Sequence, residues 1–135
     1  MLLDTHSVLW FLLDDPRLSA KACDAIMTHP ARVLVSPASL WDIAIEISLG
    51  KYGLPMDFTE FWDRQLAENH FTLLPVALAH TALVASLPFH HRDPFDRLLI
   101  AQSLHEDVPV IPRSAVITED ELSHVFVIGE DDIAS

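Results

Sequence analysis

Apolar and polar positions along this chain come in blocks whose period keeps changing. Residues 1–4 (Met-Leu-Leu-Asp) read as a short buried strand closed by a carboxylate. Residues 6–13 take up a helical spacing that Asp14-Asp15-Pro16 stops. Ser19 can cap a second helix to Thr28. The β-branched run at 32–36 (Arg-Val-Leu-Val-Ser) predicts a second strand. Ser36-Pro37 then opens a helix, with serine as N-cap and proline at the first helical position; it runs to Leu49, where Gly50 suits a left-handed terminator. Further helices are expected at 57–68, 77–86 and 93–104, the last being the strongest, and further strands at 71–76, 108–111 and 125–128. Strands alternating with helices predict an α/β fold in which helices cover both faces of a parallel sheet. In such sheets ligands bind beyond the C-terminal strand ends, where the strand order reverses. At 135 residues a single domain over 1–135 is expected, without repeats or linkers.

This pattern draws attention to carboxylates at strand ends and helix starts. Asp4 follows the first strand; as a lone buried charge it is costly unless it is paired, bound to a metal or used as a cap for the helix beginning near His6. Asp42 has two readings. Ser39 and Asp42 could form a capping box. With Ser36 as the cap, Asp42 instead lies mid-helix, where aspartate is a poor helix former and function is the easier explanation. In the stretch 90–102 (His-His-Arg-Asp-Pro-Phe-Asp-Arg-Leu-Leu-Ile-Ala-Gln), Asp93 before Pro94 reads as an N-cap, and Asp96 reads as the residue that turns into the crevice. His6, His90 and His91 are weaker candidates, because hard cations such as Mg²⁺ prefer oxygen. Trp41, Trp62 and the phenylalanines read as core or dimer contacts.

Composition narrows the chemistry. A net charge of −12 opposes broad electrostatic binding of nucleic acid, unless bound cations neutralise the acids and the few arginines near the site (Arg92, Arg97, Arg113) assist. An acidic chain also suits a basic protein partner. Half the residues are hydrophobic, and a mean hydropathy of +0.29 leaves apolar surface for a partner. No run approaches the roughly 20 apolar residues of a membrane span, and the start lacks signal-peptide character. The lone Cys23 cannot form an internal disulfide, which points to the reducing cytoplasm.

Four stretches carry a resemblance: Leu3-Asp4-Thr5-His6 with Leu9-Trp10, the run 35–45 (Val-Ser-Pro-Ala-Ser-Leu-Trp-Asp-Ile-Ala-Ile), Leu49-Gly50-Lys51, and 90–102. The chain resembles the PIN-domain family, specifically the VapC-type toxins of type II toxin–antitoxin pairs. The resemblance implies a PIN-like three-layer α/β/α fold with a central parallel sheet of four to five strands. It implies a Mg²⁺- or Mn²⁺-dependent endoribonuclease that cleaves RNA phosphodiester bonds. It also implies a homodimer and neutralisation by a cognate antitoxin that covers the site. Carried over by position, Asp4, Asp42 and Asp96 are the catalytic, metal-holding acids, with Asp93, Ser114 and His6 as supporting candidates.

The chain departs from that pattern in three places. Asp42 stands where glutamate is usual, about 1.5 Å shorter in reach. Ser114 occupies the place of a fourth acid, for which Glu119, Asp120 or Glu121 could substitute. Glu46 stands where a lysine is common. The alternative function is therefore a catalytically weakened PIN domain that acts as an antitoxin- or RNA-binding module. A phosphoacceptor receiver domain is disfavoured, because Asp14-Asp15 follows a helix and the only lysines, Lys21 and Lys51, come early.

Overall fold

A computed structural model describes residues 1–87 and 93–111 of the chain. Among these residues four strands, β1 (Leu2–Leu3), β2 (Leu34–Val35), β3 (Thr72–Leu73) and β4 (Val110–Ile111), form one sheet in the order β3-β2-β1-β4. All pairings are parallel: Leu3 lies opposite Val35 on one side and Ile111 on the other, and Val35 lies opposite Leu73. The chain steps from β1 through β2 to β3 in one direction and returns to β4 on the far side of β1. Parallel crossovers are right-handed, so connections running in opposite directions fall on opposite faces, and the fold is the expected three-layer α/β/α arrangement. The helices are α1 (Thr5–Leu12), α2 (Ala20–Thr28), α3 (Pro37–Ser48), α4 (Phe58–Glu68), α5 (Leu78–Ser86) and α6 (Pro94–Glu106). The expected fifth strand at 125–128 lies outside the described residues.

The caps follow the sequence reading. The Ser19, Ser36 and Asp57 side chains accept from the backbone N–H groups of Ala22, Ala38 and Glu60. Gly50 ends α3 with φ +79°, a conformation that glycine adopts without a Cβ penalty. Strands are shorter than expected because their flanks do other work. Asp4 and Ser36 become helix caps, residues 30–32 form a 3₁₀ turn, and Pro75 and Pro109 have no N–H to give to a ladder.

The core gathers around the two inner strands. Leu2, Leu3, Val35 and Ile111 are fully buried and pack with Val8, Leu9, Ile26, Ile43 and Leu99 from the helices. Trp62 joins this core, whereas Trp41 does not: it is 65% exposed and meets Phe95 edge-on at 5.2 Å. The sequence offered Trp41 as either core or dimer contact, and the core option is thereby removed. The edge strand β3 is exposed along its length. Gln102 on α6 is wholly buried and donates to the carbonyls of Leu74 (3.2 Å) and Pro75 (3.4 Å), tying that edge to α6.

This strand order predicts unequal sensitivity. In urea unfolding, Leu3→Ala at the sheet centre should cost about 2–5 kcal/mol through transfer and cavity terms. Leu73→Ala on the edge should stay within about 1 kcal/mol. Equal losses would contradict the placement of β1 between two neighbours.

Candidate metal centre

Each candidate acid is placed by a strand end or a helix. Asp4 leaves β1; its backbone N–H donates to the Ile111 carbonyl at 3.1 Å, so it stands at the C-terminal ends of both β1 and β4, where the strand order reverses. Its Oδ1 also accepts from the Ser7 N–H at 2.7 Å, which makes it the N-cap of α1. The two sequence readings of Asp4, cap and crevice acid, are thus compatible. Ser7 Oγ donates to the Ile111 carbonyl at 3.1 Å and locks α1 to β4.

Asp42 resolves differently. Ser36 is the N-cap, so Asp42 lies mid-helix on α3 and the Ser39 capping box does not form. The mid-helix position costs propensity, and its surroundings cost more. Burial pushes the Asp42 carboxyl above its ordinary range, and the neighbouring Glu46 charge raises it further; Asp93 adds to the rise, while Thr5 and His6 oppose it. The Thr5 hydroxyl is near enough to act on Asp42, yet its Oγ1 makes no hydrogen bond of ordinary geometry. One cluster therefore joins the N-terminal turn of α1 (Thr5, His6), a face of α3 (Asp42, Glu46) and the start of α6 (Asp93).

Asp93 is the N-cap of α6, accepting from the N–H groups of Phe95 (2.8 Å) and Asp96 (3.2 Å), so it caps the helix and contributes charge at once. Asp96 sits half-buried in the first turn of α6, which packs on α3. His6 stands beside the acids, its Nε2 4.0 Å from Glu46 Oε1, with its ring against Trp10. Arg97 donates to the Val84 carbonyl at 3.0 Å and so braces the end of α5. Ser114, His90, His91, Arg92, Arg113, Glu119, Asp120 and Glu121 lie outside the described residues.

Two members of the cluster were not singled out from sequence. Thr5 directly follows Asp4 and was named only within the stretch that carries the resemblance. Glu46 was noted only for standing in a lysine's place, although its spacing of four from Asp42 puts both on one helix face.

The donor set fits a hard divalent cation. The acids present oxygen atoms, no lysine or arginine is among the groups acting on Asp42 from the described residues, and the buried atoms Thr5 Oγ1 and Glu46 Oε2 make no hydrogen bond of ordinary geometry. Asp4, Asp42 and Asp96 do not themselves lie in a tight three-donor set. Among the described residues, His80, His105 and Glu106 do, within 4.8 Å of one another. That second group is a strut rather than a metal site. His80 is 1% exposed, and its Nδ1 accepts from the Ala77 N–H at 2.8 Å, so the proton of a neutral ring sits on Nε2, directed at Glu106 Oε1 2.9 Å away. Metal binding at Nε2 would displace that proton while Nδ1 is already engaged as an acceptor. The group also lies about 15 Å along α6 from Asp96, at 1.5 Å per residue.

A family comparison agrees with this architecture. The PIN domain model matches residues 1–122, and the chain belongs to that family. PIN domains are nuclease-type folds that generally cleave RNA or DNA with divalent metals. The chain matches none of the curated proteins. No described helix is long and apolar enough to cross a membrane.

The raised Asp42 carboxyl has a thermodynamic consequence. Its folded pKa lies above its unfolded one, so the stability it lends is present below the ordinary carboxylate range and lost as pH rises through the raised value. In EDTA at pH 7, Asp42→Asn should therefore melt a few degrees above the parent chain. The gain should shrink as pH falls into the carboxylate range. A variant that melts lower at pH 7 would show that Asp42 is already compensated.

Proposed function

We propose that this PIN domain is an endoribonuclease of the VapC type, acting on RNA phosphodiester bonds with Mg²⁺ or Mn²⁺ and neutralised by a cognate antitoxin. The observation that carries the reading is the placing of Asp42: a half-buried carboxylate in the field of Glu46 and Asp93, beside the sheet edge where Asp4 stands. Acids held together against their own repulsion are stabilised by a cation and by little else at hand.

On this reading Asp4, Asp42 and Asp96 hold the cation, with Asp93, His6 and Ser114 in support. Bound there, the cation supplies charge neutralisation at the phosphate and lowers the pKa of water. The chain's own groups do the placing. Ser7 and the α1 N-terminus orient Asp4, Ser36 anchors the helix that carries Asp42, and the Asp93 cap sets the turn that carries Asp96. His6 stands beside the acids, its Nε2 4.0 Å from Glu46 Oε1.

The partner follows from the same charge. A carboxylate-lined crevice attracts an arginine of a partner peptide, which would displace the cation and silence the site. A net charge of −12 supports a basic protein partner over a broad nucleic-acid surface, so RNA is held chiefly at the metal. A homodimer in the cytoplasm completes the proposal: the lone Cys23 asks for no oxidising compartment, and Trp41, Ile45 and Leu49 leave an apolar stripe along α3.

Purified protein incubated with a total tRNA pool and Mn²⁺ should give discrete fragments. EDTA should abolish them, and Asp96→Asn should reduce cleavage by about 100-fold or more. Absence of cleavage by a folded, Mn²⁺-binding chain would favour the alternative, a binding module with serine at the fourth acid position.

A further inference from the structure

The α3 helix offers a second carboxylate to the same cluster. Glu46 lies one helical turn beyond Asp42, on the same face, and its charge acts on Asp42. Its side chain is 16% exposed, Oε2 is closed to solvent without a hydrogen-bond partner, and among the described residues the nearest cationic candidate, His6, stands 4.0 Å from Oε1, beyond hydrogen-bond reach. A buried carboxylate oxygen with no donor is an expensive arrangement that proteins retain where something else satisfies it.

An independent observation points the same way. Thr5, on the facing turn of α1, is 3% exposed, and its hydroxyl acts on the Asp42 carboxylate without a hydrogen bond of ordinary geometry. Two buried polar groups from two helices, neither with a well-formed hydrogen bond, thus stand beside one acid. A water or a cation among them would satisfy both, and the excess of carboxylate over cationic groups among the described residues acting on Asp42 favours the cation.

We propose that Glu46 is a fourth acid of the divalent-cation site, supplying from α3 the negative charge that Ser114 does not. The inference rests on the nuclease reading above and adds a residue to it. Glu46 acts on the cation together with Asp42, either directly or through an intervening water, and Thr5 supplies a neutral oxygen beside them. With Glu46 the site has four acids drawn from the β1 end, α3 and α6, and the chain's departure to serine leaves its charge undiminished.

Calorimetric titration of the full chain with Mn²⁺, paired with melting curves in EDTA and in Mn²⁺, tests this. Glu46→Gln should weaken Mn²⁺ binding about tenfold or more. Its melting temperature in EDTA should equal or exceed that of the parent, because a charge that repels Asp42 has gone, while its Mn²⁺-induced rise should shrink. Asp42→Asn should behave likewise. Glu46→Gln with parental Mn²⁺ affinity, alongside loss of binding in Asp42→Asn, would overturn the role of Glu46 and leave the nuclease reading standing. A lower melting temperature in EDTA with unchanged Mn²⁺ affinity would make Glu46 the ion-pair partner of His6 instead. Failure of the parent chain to bind Mn²⁺ would remove the nuclease reading and this inference together.

Discussion

Repulsion among carboxylates is the constraint around which this protein is organised. A parallel sheet with a reversed strand order leaves a crevice at its C-terminal edge, and the chain places acids there from three separate elements. Asp42 among them is desolvated and faces the like charges of Glu46 and Asp93. A core alone would not select such an arrangement, because apolar residues at the same places would relieve the strain. The scaffold must therefore hold the acids in position. The Asp4 cap on α1, the Ser7 bond to Ile111 and the Asp93 cap on α6 do so, each satisfying a backbone donor or acceptor in the process.

Helix α3 divides its labour by face. Ser39, Asp42, Ile43 and Glu46 turn toward the protein, where Ile43 is fully buried in the core and the polar three line the approach to α1 and α6. Trp41, Ile45 and Leu49 point outward at a spacing of four. One helix thus carries both candidate acids and a stripe of exposed apolar side chains. A partner seated on that stripe would lie within a helix diameter of the acids, about 10 Å.

Helices α5 and α6 are joined by polar contacts of a different kind. His80, buried and held by the Ala77 N–H and by Glu106, and Arg97, reaching the carbonyls at the end of α5, are satisfied structural groups. They show why proximity of histidine and carboxylate is insufficient grounds for a metal site: the tautomer imposed by one nitrogen decides what the other can do.

The elements were legible in the sequence because their signals are local. A serine or aspartate before a helix, proline at its first position, a glycine after its last turn and a β-branched run each act over a few residues, and the caps at Ser19, Ser36, Asp57 and Asp93 and the terminator at Gly50 form as read. The family resemblance, carried by contiguous stretches, likewise lay in the chain itself. Strand lengths were overestimated, since a ladder needs partners as well as propensity. Tertiary structure alone decided the rest: that Asp42 is mid-helix and repelled, that Asp93 is both a cap and a source of charge, that Trp41 lies outside the core, and that Thr5 and Glu46 stand beside Asp42. The reason is physical. Hydrogen bonds and caps are set by residues a few positions apart, whereas desolvation and charge repulsion depend on which helices the fold brings face to face.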